Sequence, residues 1–141
     1  MIVIMKLTRQ DVIVLALWWG EGSKSRRDAR WKNAVTYPVE ITNTNPLIIK
    51  AFKELIERKF YEKSHKLKIQ LQIHEGDNQE ELEKFWSEYL GISANKFQRT
   101  IVRPVGRKVG KSNGTCKVRM VDKETYLSLE SMLDKIKMSL V

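Results

Sequence analysis

Val14-Leu15-Ala16-Leu17-Trp18-Trp19-Gly20-Glu21-Gly22 closes the first long apolar segment of the chain. Thr8 suits an N-cap, and Asp11 three residues later completes a capping-box pattern, so a helix is predicted over about 9–20. Gly22 fits the left-handed position that ends many helices. Ala16 and Gly20 share one face four residues apart, where small side chains let a second helix backbone come close. Glu21 leaves the helix where such a pair would end. An acid there faces the negative end of the helix dipole, so a metal-binding role stands beside the plain reading of a solvated acid next to a cap glycine.

Outward from this helix, residues 23–32 hold Lys24, Arg26, Arg27, Arg30 and Lys32 against the single acid Asp28. Two readings stand, a solvated loop and a phosphate contact. Residues 34–42 alternate, with Val35, Tyr37, Val39 and Ile41 on one face of a strand, and Pro38 marks an edge or a bulge. Asn45 and Pro46 read as N-cap and first position of a helix that runs to about 61. Leu47, Ile48, Ala51, Phe52, Leu55 and Ile56 form its apolar stripe, with Lys50, Lys53, Glu54 and Glu57 on the wet side.

The strand at 66–74 is the most informative one. Leu67, Ile69, Leu71 and Ile73 face one way, and Lys66, Lys68, Gln70, Gln72 and His74 the other. Solvent alone accounts for such a polar row, but Gln can pair with adenine and Lys with guanine, so a nucleic-acid face is the second reading. A helix over about 79–90 follows, capped by Gly91, with Leu82, Phe85, Trp86, Tyr89 and Leu90 inward and an acidic outer side that would lie away from nucleic acid. Residues 98–103 and 115–121 read as two strands paired with each other. The glycine-rich basic loop between them lacks P-loop spacing. From Arg99 to Arg119 there are seven basic residues and no acid. Thr115, Lys117 and Arg119 share one face, and Cys116, Val118 and Met120 the other, which makes Cys116 a core residue. Asp122 caps a last helix over about 123–138, with Tyr126, Leu129, Met132, Leu133 and Ile136 inward.

The chain has 141 residues, 42% of them hydrophobic, and a formal charge of +9. Those figures suit one α+β domain over 1–141 with a proper core and a polyanionic partner, nucleic acid before an anionic membrane. No apolar run reaches the roughly 20 residues needed to span a bilayer, and the N-terminus lacks a signal-peptide core, so a cytoplasmic protein is expected. The single cysteine excludes an internal disulfide and a cysteine-based zinc cluster, and His65 and His74 have no metal-ligand spacing with it.

The nine quoted residues resemble the LAGLIDADG motif of homing endonucleases. Ala16 takes the place of the motif's first glycine, Gly20 of its second alanine, Glu21 of its final acid and Gly22 of its final glycine. The element order also resembles that family, and so do the segments at 39–46 and 114–122. Two departures stand: only one of the two strands usual after the motif helix is visible in 23–42, and the acidic helix is extra. The resemblance implies a curved antiparallel sheet with helices packed on one face and double-stranded DNA on the other. It implies hydrolysis of DNA with Mg²⁺ held between two motif helices. With one motif and one Glu21, that centre requires a homodimer through Ala16 and Gly20 and a near-palindromic site.

In this reading Glu21 is the metal ligand and a catalytic residue, and Lys117 or Arg119, with Gln70 or Gln72, would stand near the attacking water. Lys117 is taken as the basic residue of the catalytic pair with Glu21. The nucleic-acid contacts would come from Lys24, Arg26, Arg27, Lys66, Lys68, Gln70, Gln72, Arg103, Arg107, Lys108, Lys111, Lys117 and Arg119. Trp18 and Trp19 read as core or interface. Three functions remain open: the endonuclease, a non-cleaving DNA-binding regulator with the same grip, and an RNA- or ribosome-binding protein.

Overall fold

The computed structural model describes residues 7–22, 35–104 and 113–141, and the backbone alone of Arg26 and Arg27. Its elements are α1 (Arg9–Glu21), β1 (Arg26–Arg27), β2 (Val35–Thr36), β3 (Pro38–Asn43), α2 (Pro46–Lys59), β4 (Lys68–His74), α3 (Gln79–Leu90), β5 (Ile101–Arg103), β6 (Thr115–Val121) and α4 (Lys123–Met138). The fold is α+β, a four-stranded sheet in the order β3-β6-β4-β5 with helices packed on it, plus a small antiparallel pair, β1-β2. The four-stranded sheet is mixed and not antiparallel throughout as expected, because β5 runs parallel to β4.

Local chemistry sets the helix ends. Thr8 Oγ1 accepts from the Asp11 amide at 3.1 Å, and Asp11 Oδ2 accepts from the Thr8 amide at 3.0 Å, closing the expected capping box. Asn45 caps α2 with Pro46 at its first position, Gly91 ends α3 at a left-handed φ of 65°, and Asp122 caps α4 through the Thr125 amide. Gly22 corrects the expectation for α1. Its backbone is extended (φ −79°, ψ 156°), not left-handed. Glycine is needed there for space, because a Cβ would stand 2.3 Å from Trp18 Cδ1.

Strand alternation builds the core. Val39 and Ile41 of β3, Ile69, Leu71 and Ile73 of β4, and Cys116, Val118 and Met120 of β6 lie buried on one side of the sheet. They join Leu15 and Trp18 of α1, Phe52 and Ile56 of α2, Trp86 of α3 and Tyr126 and Leu129 of α4 in one cluster. Trp18 meets the Tyr126 ring edge-on at 5.6 Å.

Three other expectations are corrected. The strand over 98–103 shrinks to Ile101–Arg103 and does not pair with β6: it runs parallel to β4 at the sheet edge. Helix α3 lies between β4 and β5, and a helical crossover of that kind delivers a parallel strand. Pro104, which has no amide donor, follows directly. Strand β6 instead pairs antiparallel with both β3 and β4 at the centre. In α2 the buried stripe is Ile49, Phe52, Leu55 and Ile56 with Lys53, while Leu47 is 64% exposed. Lys53 lies inward because Glu57 one turn later receives its ammonium at 2.8 Å. Finally, the single strand expected over 34–42 is split at Tyr37 into β2 and β3, which lie in different sheets. Val35 is 42% exposed, and β2 pairs with the two-residue β1 through Arg26–Thr36 and Arg27–Val35.

Candidate nucleic-acid interface

The sheet face turned away from the core carries a polar grid. Register sets its rows: Glu40, Arg119 and Lys68 stand side by side, then Thr42, Lys117 and Gln70, then Thr115, Gln72 and Ile101, with His74 beside Arg103. Neighbouring strands lie about 4.8 Å apart, so long side chains in adjacent rows reach one another. Gln70 Nε2 donates to the Arg99 carbonyl at 3.0 Å, and Arg103 Nη2 lies 3.5 Å from Gln72 Oε1. Both glutamines are thereby steered toward the β5 edge, with each amide keeping polar capacity for a further partner. Apart from the His74 imidazole at its edge, the grid holds no aromatic ring among the described residues, which gives successive single-strand bases little to stack on there.

The structure brings Lys68, Gln70, Gln72, Arg103, Lys117 and Arg119 onto this one face. It does not bring Lys66 there. Lys66 lies in a 3₁₀ turn (Tyr61–Lys66) before β4, and its Nζ reaches Asp122 Oδ1 at 2.8 Å. Arg26 and Arg27 belong to β1. Lys24, Arg107, Lys108 and Lys111 lie outside the described residues.

Glu21 is exposed at the end of α1, where its Oε2 accepts from Asn43 Nδ2 at 2.8 Å. Asn43 also accepts the Asn45 amide at 2.8 Å, so one side chain ties α1, β3 and the start of α2 together. Lys117 is not joined to Glu21 by any contact among the described residues. Asn43 occupies the core-side phase of β3 opposite Cys116, whereas Lys117 pairs with Thr42 on the other side. The two leave the sheet from opposite faces, one register step apart. No cluster of three His, Cys, Asp or Glu able to hold a metal occurs among the described residues.

Ala16 and Gly20 are both exposed, and a Cβ added at Gly20 would meet nothing within 4 Å. Around them Ile13 is 53% and Trp19 42% exposed. Ile13 and Leu17 continue into an apolar cleft of about 510 Å³ shared with Leu47, Ile48 and Ala51 of α2. Helix α1 is thus apolar on its buried side and on its open side. Among the described residues no helix is long and apolar enough to cross a membrane.

Two buried aspartates hold this frame. Burial works to raise the Asp11 carboxyl, but hydrogen bonds from the Thr8 backbone and hydroxyl and from Arg58 and Lys59 outweigh it and lower its pKa. Its oxygens lie 3.0 Å from Arg58 and 3.3 Å from Lys59, which fixes the start of α1 to the end of α2. At Asp122 burial again works upward. Lys66, the Thr125 hydroxyl and amide, and Lys63 together leave it well below the usual carboxylate range. Burial raises the Cys116 thiol, in keeping with an inert core residue.

Sequence reasoning passed over Glu40 and Asn43. Both carried a signal: Asn43 is a polar residue in the apolar phase of its strand, and Glu40 is an acid on a face that is otherwise basic and neutral. Comparison with protein-family models, with curated proteins and with solved structures gives no match for this chain.

Proposed function

We propose that the chain is a homodimeric duplex-DNA-binding protein of the LAGLIDADG type, and that it cuts both strands with Mg²⁺ held between two copies of Glu21. The observation that carries this reading is the open apolar stripe Ile13, Ala16, Leu17 and Gly20, which ends at the exposed Glu21. A second copy of α1 laid on that stripe would cover apolar surface that otherwise stays in water. A two-fold axis there makes the same patch serve both subunits and puts two carboxylates near each other.

Each chain offers one carboxylate, with Oε2 already accepting a neutral amide hydrogen bond, so Glu21 fits a Mg²⁺ site as half of one completed by the partner copy. Bound Mg²⁺ would supply charge stabilisation at the scissile phosphate and a polarised water. The side chains do the rest. Asn43 orients the Glu21 carboxylate, and Lys117 stands on the DNA side as the cation nearest in register to that end of the sheet. Lys68 and Arg103 would meet phosphates, while Gln70 and Gln72 would meet base edges. The sheet would lie in the major groove, whose width admits β-ribbons.

The Asn43–Glu21 hydrogen bond also favours a second reading, in which Glu21 only joins α1 to β3 and the protein binds DNA without cutting it. A nicking and linearisation assay on a plasmid library in Mg²⁺ and in Mn²⁺ separates the two. Metal-dependent cuts that disappear in Glu21→Gln support the enzyme. An intact library together with tight, defined duplex binding supports the regulator. Tighter binding to structured RNA than to any duplex would overturn both.

A further inference from the structure

Glu40 is an acid on the basic face, in a strand where such residues are depleted, and it is only 5% exposed. Its Oε2 lies 3.2 Å from Arg119 Nε, and the Arg119 side chain is 37% exposed. Arg119 sits on the central strand between Glu40 and Lys68. The contact is an ion pair without hydrogen-bond geometry, since Glu40 Oε2 accepts no hydrogen bond among the described residues, and it draws the Nε side of the guanidinium toward the buried carboxylate. Among the described residues, the two Nη groups at its far end meet no acceptor.

An ion pair with a buried carboxylate is weak evidence for stability, because the cost of desolvating the charge offsets the attraction, so stability alone is a poor reason to sink a carboxylate beside one arginine. Orientation is a better one. A guanidinium is a rigid planar fork, and a charge that attracts its Nε side favours placements in which the Nη end faces away from that charge. Two parallel N–H donors aimed outward match the O6 and N7 acceptors of guanine in the major groove. Lysines on the same face are point charges and suit phosphates instead.

We infer that Arg119, aimed by Glu40, reads a guanine at one fixed position of each half-site. Arg119 is the specificity-determining residue, and Glu40 is a positioning residue that acts through it. The inference rests on the duplex-DNA reading above and names a determinant within it. Lys68, the neighbour of Arg119 on the grid, lacks the planar fork and meets a phosphate in this reading.

The test is selection of sites from a randomised duplex library, followed by affinities in EDTA for the selected site and for copies carrying 7-deazaguanine at single positions. That base lacks the N7 acceptor. Wild type should lose about tenfold or more at one guanine per half-site. Arg119→Lys keeps the charge but not the fork, and should lose selection at that position and become indifferent to the 7-deaza base. Glu40→Gln should retain binding with a weaker preference there, and thermal unfolding of both variants checks that they fold. Because Arg119 is partly exposed, Arg119→Lys decides the matter even if Glu40→Gln is destabilised. Undiminished guanine preference in Arg119→Lys overturns the inference and leaves DNA binding intact. So does an Arg119→Ala variant that loses affinity equally on every sequence with a salt slope smaller by about 0.9, the mark of a phosphate contact. Failure of wild type to bind any duplex overturns both the inference and the reading beneath it.

Discussion

Asn43 Nδ2 donates to Glu21 Oε2 at 2.8 Å, joining the last turn of α1 to the last residue of β3. The bond fixes where the one carboxylate of the motif stands relative to the sheet. If Glu21 acts in cleavage, Glu21→Gln should lower the cutting rate by about two orders of magnitude or more, since charge stabilisation by a held metal is worth several kcal/mol. DNA affinity in EDTA should stay or rise slightly, because a carboxylate near phosphates repels them. Asn43→Ala should cost about 1 kcal/mol of stability or less, as an exposed hydrogen bond does. Equal loss of cutting in both variants, beyond their shared stability change in a double-mutant cycle, would assign Asn43 to positioning.

The two glycines of the motif should behave in opposite ways. Gly20→Ala meets open space, so in the isolated protomer it should stabilise α1, by up to about 1 kcal/mol. Gly20→Leu should do no harm to the protomer but should block close helix approach, giving monomers by sedimentation velocity where wild type is dimeric. Gly22→Ala places a Cβ 2.3 Å from Trp18 Cδ1 and 2.6 Å from the Trp18 carbonyl oxygen. It should cost about 1–3 kcal/mol in urea unfolding, the usual range for overpacking against a fixed core ring. Wild type that stays monomeric at micromolar concentration, with and without duplex, would remove the basis of the dimer.

Acid should loosen the frame through Asp11 and Asp122. Both carboxyls have folded pKa values below their ordinary ones. The unfolded chain therefore takes up protons first as pH falls. Their stabilisation is complete above the usual carboxylate value of about 3.9 and is lost as pH drops below about 4 through the folded values. Asp122→Asn keeps a competent N-cap but removes the charge, so its unfolding free energy should fall less steeply below pH 4 than that of wild type. Identical slopes for the two proteins would remove Asp122 from this account.

Short-range chemistry was legible in the sequence. Caps at Thr8, Asn45 and Asp122 need only the side chain and an amide two or three residues away, and the strand phases at 67–73 and 116–120 need only alternation. Sheet order was not legible. Alternation tells which side of β6 is buried but not which strands flank it, and β3 and β4 lie far back in the chain from Thr115. The α2 stripe was right at Phe52, Leu55 and Ile56 but missed Ile49 and Lys53, while Leu47 is exposed and Ile48 and Ala51 are only half-buried along a cleft beside α1. Apolar character alone does not say whether a face is covered. Lys66 continued the polar alternation of β4 on paper, but the strand begins at Lys68. The part of the candidate site set by strand phase was therefore visible, and the part set by long-range pairing, Asn43 on Glu21 and Glu40 on Arg119, was not.

Lys66 and Lys68 separate a structural lysine from a DNA-facing one, although the alternation gave them the same role. Lys66 Nζ reaches Asp122 Oδ1 at 2.8 Å, while Lys68 stands exposed in the row with Arg119. Lys68→Ala should leave thermal stability nearly unchanged. It should lower the slope of log affinity against log salt by about 0.9, the loss of one phosphate contact, evenly across sequences. Lys66→Ala should do the reverse. The slope should hold, while stability drops by about 1 kcal/mol, a charge-assisted hydrogen bond discounted for the partial exposure of Lys66. The drop should shrink only as pH falls well below the usual carboxylate value toward the folded pKa of Asp122, where the carboxyl protonates in the folded protein and its ion pair is lost. Salt titrations of binding and urea titrations of folding on the same two variants measure both effects. A Lys68→Ala variant with the wild-type salt slope would show that this face of the sheet does not meet the phosphates, and a Lys66→Ala variant that changed the slope alone would return the 3₁₀ turn to the DNA-facing surface.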